Sequence, residues 1–413
     1  MKVSFKTFGC KLNQAETREI KQELLKKGVK IVPLEKKPDI YVINACSVTA
    51  RAERKLRQEI YNINRQYPNI YLIVAGCFTK NLKNNKKINS LVEAWFSNKK
   101  KSDLTKEILK VYNFKKQKTK IITPYSQNKN RAMVKIQNGC NQFCSYCIVP
   151  FLRKELKSKS LDQTVQEINN LKSRGFKEIN LVGANLSLYK FKNNSLLDLL
   201  KYIIKNTDIP RIRISSLWPT FLNDKFIDFI SNQKRICPYI HLSVQSGCDK
   251  ILKKMNRNYS VNQVKGVIKK LKSKSISIGT DIIVGFPNET KKDFQKTYQF
   301  VKWAKFINLH VFKYSKRPGT KAASFKKQVN PKVKNKRSKK LRLLGKKIFK
   351  KELKNYLKNK KSAQVLFEQK KGKYWLGKTP NYINVYFKSN LNLFNKIKKV
   401  NLIKPFKKGV LVK

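Results

Sequence analysis

Short apolar runs, each ending in a cysteine, a glycine or a small polar residue and each followed by helical spacing, recur along this chain and constrain its fold more than any other feature. In the first part, residues 3–8 run into Gly9-Cys10, residues 39–45 into Cys46, and residues 71–76 into Cys77. Between them, residues 13–28 and 49–65 carry apolar side chains at helical intervals, so the segment predicts a βαβ series on a parallel sheet. In such a sheet the carboxyl ends of the strands lie along one edge, where ligands bind. Cys10, Cys46 and Cys77 are therefore expected to meet in space. A single buried thiol packs as an ordinary small hydrophobe. Three at the same end of successive strands suggest instead a metal cluster held by three thiolates.

The alternation resumes after a polar, lysine-rich stretch at about 113–131 that reads as a linker. Residues 132–137 form a strand candidate. Others follow at 178–181 before Gly183 and Asn185, 211–214 before Ser215, 239–244 before Gln245, 277–284 including Asp281, and 307–312. About six such units predict a partial TIM-type (β/α)6 barrel with its chemistry at the carboxyl face and a lateral opening for a bulky substrate. Residues 331–361 are very basic with interspersed leucines, a helix or two. From residue 362 the pattern changes to short β segments at 364–368, 374–376, 383–387 and 410–412, which suit a small all-β, OB-like module of the kind that binds RNA. Its aromatics Tyr374, Trp375, Tyr382, Tyr386 and Phe387 fit either a core or a stacking surface. The expected domains are 1–115, a linker at 116–130, a barrel at 131–360 and the β module at 361–413. The fold class is α/β with a small all-β end.

Charge narrows the partners. The chain has 413 residues with 94 Lys and Arg against 24 Asp and Glu, a formal charge of +70. That excess favours a polyanion and strong salt dependence. Lysine is nevertheless spread through almost every segment, and biased base composition of the coding DNA could produce the same pattern. Lysine runs such as Lys99-Lys100-Lys101 and Lys269-Lys270 are expected to be solvated faces. No apolar run reaches membrane-spanning length and the N-terminus passes straight into a strand pattern, so a cytoplasmic protein is expected. Eight cysteines in that setting point to metal ligation or catalysis.

Three of those cysteines, Cys140, Cys144 and Cys147, have C-x3-C-x2-C spacing. Three thiolates can hold a four-iron cluster and leave its fourth iron open to a substrate. Zinc fits less well, because structural zinc sites want four closed ligands. The spacing resembles the signature of the radical S-adenosylmethionine enzymes. In that family the open iron chelates the methionine moiety of S-adenosylmethionine, and the reduced cluster cleaves the sulfonium to a 5'-deoxyadenosyl radical.

The whole order resembles the methylthiotransferases, the two-cluster branch of that family. The resemblance rests on Phe8-Gly9-Cys10-Lys11-Leu12-Asn13-Gln14-Ala15-Glu16, on Val42-Ile43-Asn44-Ala45-Cys46-Ser47-Val48-Thr49 with Arg51-Ala52-Glu53-Arg54-Lys55, on Lys135-Ile136-Gln137-Asn138-Gly139-Cys140, and on Thr379-Pro380-Asn381-Tyr382-Ile383. Within the family these stretches look like the bacterial enzymes acting on N6-threonylcarbamoyladenosine beside the tRNA anticodon. The resemblance implies two 4Fe-4S clusters, one on Cys140, Cys144 and Cys147 and an auxiliary one on Cys10, Cys46 and Cys77. It further implies S-adenosylmethionine as radical source and methyl donor, tRNA as partner, an external electron donor and a sulfur source. Gly183, Asn185, Ser215, Gln245 and Asp281 are placed to contact the cofactor, although each could equally be a turn or cap residue.

One departure is Arg153-Lys154, where the family commonly has Arg-Gly; it is expected to alter the loop over the cofactor. Cys237 and Cys248 match no ligand position and read as ordinary thiols. The alternatives are the same chemistry on isopentenyladenosine or on a ribosomal protein, and a non-catalytic iron–sulfur or zinc RNA-binding protein.

Overall fold

The computed structural model describes residues 1–78, 80–111 and 130–413, so the expected linker, apart from Asn130, lies outside the described residues. By its internal contacts the chain divides into two units. Among the described residues, one comprises 1–78, 80–111, 138–157 and 315–323; the other comprises 130–137, 158–314 and 324–413.

The first unit is built on a five-stranded parallel sheet. Its strands are β1 (Lys2–Thr7), β2 (Lys30–Ile31), β3 (Ile40–Ala45), β4 (Tyr71–Gly76) and β5 (Ala94–Ser97), in the order β2-β1-β3-β4-β5. The central strand β3 is buried along its whole length, as expected where both faces of a parallel sheet are covered. Tyr41, Ile43 and Ala45 pack on Leu56, Ile60 and Ile63 of helix α2 (Ala50–Gln66). Ile40 and Val42 face Ile20 and Leu24 of α1 (Lys11–Lys26) on the other side. Thr49 starts α2 by accepting a hydrogen bond from the Ala52 amide at 3.2 Å, a standard N-cap. The sequence pattern showed β1, β3 and β4; β2 and β5 are too short to carry a periodic signal.

The second unit carries six parallel strands: β6 (Arg131–Lys135), β7 (Glu178–Val182), β8 (Arg211–Ile214), β9 (Tyr239–Gln245), β10 (Ser277–Val284) and β11 (Asn308–Lys313). β6, β7 and β8 pair in that order; β9, β10 and β11, edged by a short parallel strand at Ser216–Leu217, form the continuing sheet; an Ile212–Ile236 bridge joins the two. No ladder closes β6 onto β11 among the described residues, so the barrel is partial. Helices lie between the strands, and those starting after Ser160, Ser195, Asn223, Ser260 and Thr290 begin on side-chain caps, with full capping boxes at Ser195, Ser260 and Thr290.

The basic segment after residue 330 is one helix, α3 (Pro331–Asn359), and not two. At 1.5 Å per residue it is about 43 Å long. Leu341, Leu344, Ile348 and Leu353 give it one buried stripe. It leads into a closed five-stranded barrel: β12 (Ser362–Lys371), β13 (Tyr374–Lys378), β14 (Asn384–Lys388), β15 (Ile397–Phe406) and β16 (Gly409–Val412). β15 escaped the sequence reading because lysines, an asparagine and Pro405 interrupt its apolar residues. Trp375 is buried in the core of this module, with Val365, Phe367, Val385 and Val410.

Candidate active site

Both cysteine triads belong to the first unit. Cys10, Cys46 and Cys77 follow β1, β3 and β4, which are neighbours in the sheet, so their carboxyl ends deliver the three thiols to one edge. Cys46 and Cys77 are buried, Cys10 is exposed, and all three are free thiols. Gly9 makes the approach possible. It has φ +101°, and a Cβ on it would lie 2.7 Å from the Cys46 Sγ, so only glycine fits beside that sulfur. Burial pushes the Cys46 thiol up to about 11, the Val48 amide opposes that shift, and the neighbouring Cys77 and Cys10 add to it. A thiol in that state needs a cation to become a thiolate.

Cys140, Cys144 and Cys147 sit in a loop whose entry is equally constrained. Gly139 has φ +76°, and a Cβ there would lie 2.0 Å from the Glu155 carbonyl oxygen. The Cys147 amide donates to the Cys144 carbonyl at 2.9 Å, and the Ser145 carbonyl accepts from the Ala322 amide at 2.7 Å. Cys144 is buried; Cys140 and Cys147 are partly accessible.

Two side chains tie the segment after this loop to the sheet edge. The Asn98 side-chain amide donates to the Cys77 Sγ at 3.2 Å and to the Leu152 carbonyl at 3.1 Å. Arg153 is buried and makes four bonds: to Glu16 Oε1 at 2.6 Å, Glu16 Oε2 at 2.9 Å, Asn13 Oδ1 at 2.8 Å and Asn138 Oδ1 at 2.7 Å. Lys101 reaches the same carboxylate, with Nζ 2.6 Å from Glu16 Oε2 and 2.8 Å from Asn44 Oδ1. Burial lowers the Lys101 pKa while Glu16 opposes the shift. The site edge thus holds two buried cations against one carboxylate, a local excess of positive charge beside three sulfurs. A donor set of three free thiols with a hydrogen bond to one sulfur and an adjacent cation surplus fits an anionic iron–sulfur cluster.

These findings correct one expectation. Lys99 and Lys100 are solvated as read, but Lys101 is 8% exposed and is part of the buried network. A lysine run gives no sign of which member turns inward. Asn98 was also missed; nothing in its local pattern marks it. The Arg153-Lys154 departure falls on an exposed residue, Lys154, whose φ is not positive, so lysine fits there without strain, while Arg153 beside it is buried.

In the second unit the strand-end residues are individually built into turns. Asn185 caps a short 3-10 turn, accepting from the Ser187 amide at 3.2 Å, and its own amide donates to Gln137 Oε1 at 2.9 Å. Gly183 lies against Gln137, where a Cβ would come within 2.8 Å of Oε1. The Ser215 amide donates to the Leu181 carbonyl. Gln245 has φ +74° at an irregularity of the β9–β10 ladder, backbone strain of the kind that collects at functional sites. Asp281 sits between two imidazoles, 2.9 Å from His241 Nε2 and 3.1 Å from His310 Nδ1. Cys237 and Cys248 are buried and stand apart from both triads in sequence; Cys248 Sγ lies 3.5 Å from Asp293 Oδ1.

Comparison with known proteins adds the context. The model of the Radical SAM superfamily matches residues 134–301, and that of uncharacterized protein family UPF0004 matches residues 2–97. The chain is 35% identical to the threonylcarbamoyladenosine tRNA methylthiotransferase MtaB of Aquifex aeolicus, over 90% of this chain and 91% of the relative. It is 32% identical to the tRNA-2-methylthio-N(6)-dimethylallyladenosine synthase of Ehrlichia ruminantium, over 95% and 94%. Among solved structures, the radical S-adenosylmethionine methyltransferase TsrM of Kitasatospora setae superposes with a TM-score of 0.57 at 13% identity, over 78% of this chain and 77% of that one, a likeness of fold.

Proposed function

Because the chain belongs to the radical S-adenosylmethionine tRNA methylthiotransferases, we propose that it methylthiolates C2 of N6-threonylcarbamoyladenosine beside the tRNA anticodon, using two 4Fe-4S clusters. Cys140, Cys144 and Cys147 hold one cluster and Cys10, Cys46 and Cys77 the other. When bound, the clusters and S-adenosylmethionine supply reductive sulfonium cleavage, sulfur and methyl. The chain's own residues do the rest. The observation that carries the reading is that both triads lie in one compact unit, with Asn98 joining Cys77 to the segment that follows the second triad.

Arg153 and Lys101 offset the negative charge that three thiolates and a cluster bring to a buried place. Asn98 donates to a ligand sulfur and fixes its orientation. Gly183, Asn185, Ser215 and Gln245 offer backbone and amide groups at the carboxyl ends of the barrel strands, where a nucleoside cofactor is held in folds of this kind. An external reductant and a sulfur source complete the reaction.

tRNA binding is supported by charge and by surface chemistry. α3 exposes eleven Lys and Arg side chains, among them Lys339, Lys346, Lys350 and Lys354, against a single acidic residue, Glu352. On the β module, Tyr374, Tyr386 and Phe406 form a half-buried aromatic patch with centroid separations of 5.2 to 6.4 Å, and Lys407 Nζ lies 5.3 to 5.9 Å from the three rings. Aromatic faces beside lysines suit unstacked bases and the backbone next to them.

The second reading, isopentenyladenosine as substrate, is favoured only by the relatives named for dimethylallyladenosine at similar identity. Mass analysis of tRNA nucleosides from cells with and without the gene separates the two. Loss of the methylthio form of N6-threonylcarbamoyladenosine supports the proposal. Loss of the methylthio form of isopentenyladenosine alone overturns it.

A further inference from the structure

The chain contains only two histidines, and both lie against the same carboxylate. His241 is on β9, Asp281 on β10 and His310 on β11, three adjacent parallel strands. The β10–β11 register sets Asp281 directly opposite His310, while His241 faces Gly279 two residues earlier on β10. One ligand atom from each of the three residues falls within 4.8 Å of the other two. We propose that these three residues form a mononuclear site for a divalent transition-metal ion of the zinc or ferrous class, built without any cysteine.

The geometry carries this in three ways. First, ligand atoms held at about 2.0–2.2 Å from one ion stand about 2.8–3.6 Å apart between octahedral and tetrahedral angles, and the two nitrogen–oxygen separations, 2.9 and 3.1 Å, lie towards the octahedral end of that range. Second, the buried imidazole is supported from behind. His241 Nδ1 is 3.2 Å from the Tyr239 hydroxyl, which accepts from the Asn308 side-chain amide at 3.2 Å. That contact holds the ring from its outer nitrogen while Nε2 faces Asp281, the outer-shell arrangement that orients metal-ligating histidines. The support exists only because residue 279 is glycine: a Cβ there would lie 2.0 Å from the Tyr239 hydroxyl and 2.8 Å from His241 Nδ1. Third, burial is graded across the trio. The side chains are 11%, 22% and 51% exposed for His241, Asp281 and His310, so one side of the trio stays open. Three protein ligands with an open position keep room for water or a substrate atom.

Two imidazoles and one carboxylate select borderline first-row ions over calcium or magnesium, which prefer all-oxygen sites.

The test uses the full chain with its iron–sulfur clusters loaded, so that the ligating thiols are occupied. The protein is equilibrated with Zn2+, dialysed against metal-free buffer, and examined by elemental analysis and zinc-edge X-ray absorption. The expected result is one zinc per chain with nitrogen and oxygen neighbours only. His310→Ala, at a half-exposed position that leaves the strand intact, should lose the zinc. Tyr239→Phe should keep the site but weaken it by about 10- to 100-fold, the usual effect of removing an outer-shell partner. Zinc bound equally by wild type and His310→Ala, sulfur among its neighbours, or no zinc retained by the wild type would each overturn the proposal. No turnover is measured, so failure here is distinct from failure of the assigned reaction.

Discussion

Arg153 and Glu16, 137 residues apart in sequence, meet in a buried two-pronged ion pair, with Nη1 2.6 Å from Oε1 and Nη2 2.9 Å from Oε2. The pair anchors the segment after Cys147 to the first helix of the parallel sheet. Lys101 shares the carboxylate, so the three groups do not balance in charge. Thiolates of the adjacent cysteines would offset an excess of positive charge there.

That imbalance orders three variants. Removing Arg153 as Arg153→Met breaks the pair and should cost about 3–5 kcal/mol, the usual effect of leaving one buried partner without the other. Glu16→Gln leaves two buried cations facing each other and should cost at least as much. Lys101→Met removes the surplus cation and should cost least. Denaturant unfolding of the metal-free protein measures all three. An order with Lys101→Met as the most destabilising would contradict the assignment of Lys101 as the surplus charge.

The aromatic patch on the β module makes a separate expectation. If Tyr386 stacks on a base, Tyr386→Ala should weaken tRNA binding by about 1–3 kcal/mol. Its salt dependence should stay the same, because no phosphate contact is lost. Alanine substitution of exposed α3 lysines such as Lys346 and Lys350 should do the opposite and flatten the salt slope. Binding measured across a salt series distinguishes them; an unchanged affinity in Tyr386→Ala would return that ring to a packing role.

Lys378 gives a pH dependence of known sign. It lies 4.4 Å from the Tyr382 ring centroid. Burial, aided by Arg131 and Arg213 and opposed by Glu368, lowers its pKa from 10.5 to about 8. The folded protein therefore sheds this proton before the unfolded chain does, and stability should rise as pH climbs from about 8 towards 10.5. Lys378→Met should abolish that part of the rise. Thermal unfolding at pH 7 and pH 9 checks it: an identical difference in wild type and variant would show that the amine is not desolvated.

The sequence made the strand-and-helix order legible because parallel strands buried on both faces read as apolar runs, and β4, β8 and β10 fall where the runs do. Cysteines at strand ends were legible for the same reason: period and punctuation place them before any contact is known. What joins the two triads was not. Arg153, Glu16 and Asn98 are ordinary surface types in local pattern, and their burial depends on contacts between segments as far apart as 137 residues. β15 was hidden by lysines on its outer face. The histidine pair was hidden by register, since a carboxylate on the adjacent strand cannot be read from either histidine's neighbours in sequence.

The central claim is that the two cysteine triads hold two clusters with different tasks, and one comparison tests it most directly. Reconstituted Cys144→Ala and Cys46→Ala proteins are incubated anaerobically with S-adenosylmethionine, reductant, a sulfur source and tRNA, and 5'-deoxyadenosine and methylthiolated nucleoside are both measured. The account predicts that Cys144→Ala releases no 5'-deoxyadenosine and retains about half the iron, as two equal clusters require. Cys46→Ala should release 5'-deoxyadenosine and make no methylthiolated nucleoside. Normal product from Cys46→Ala, or undiminished 5'-deoxyadenosine from Cys144→Ala, would contradict it.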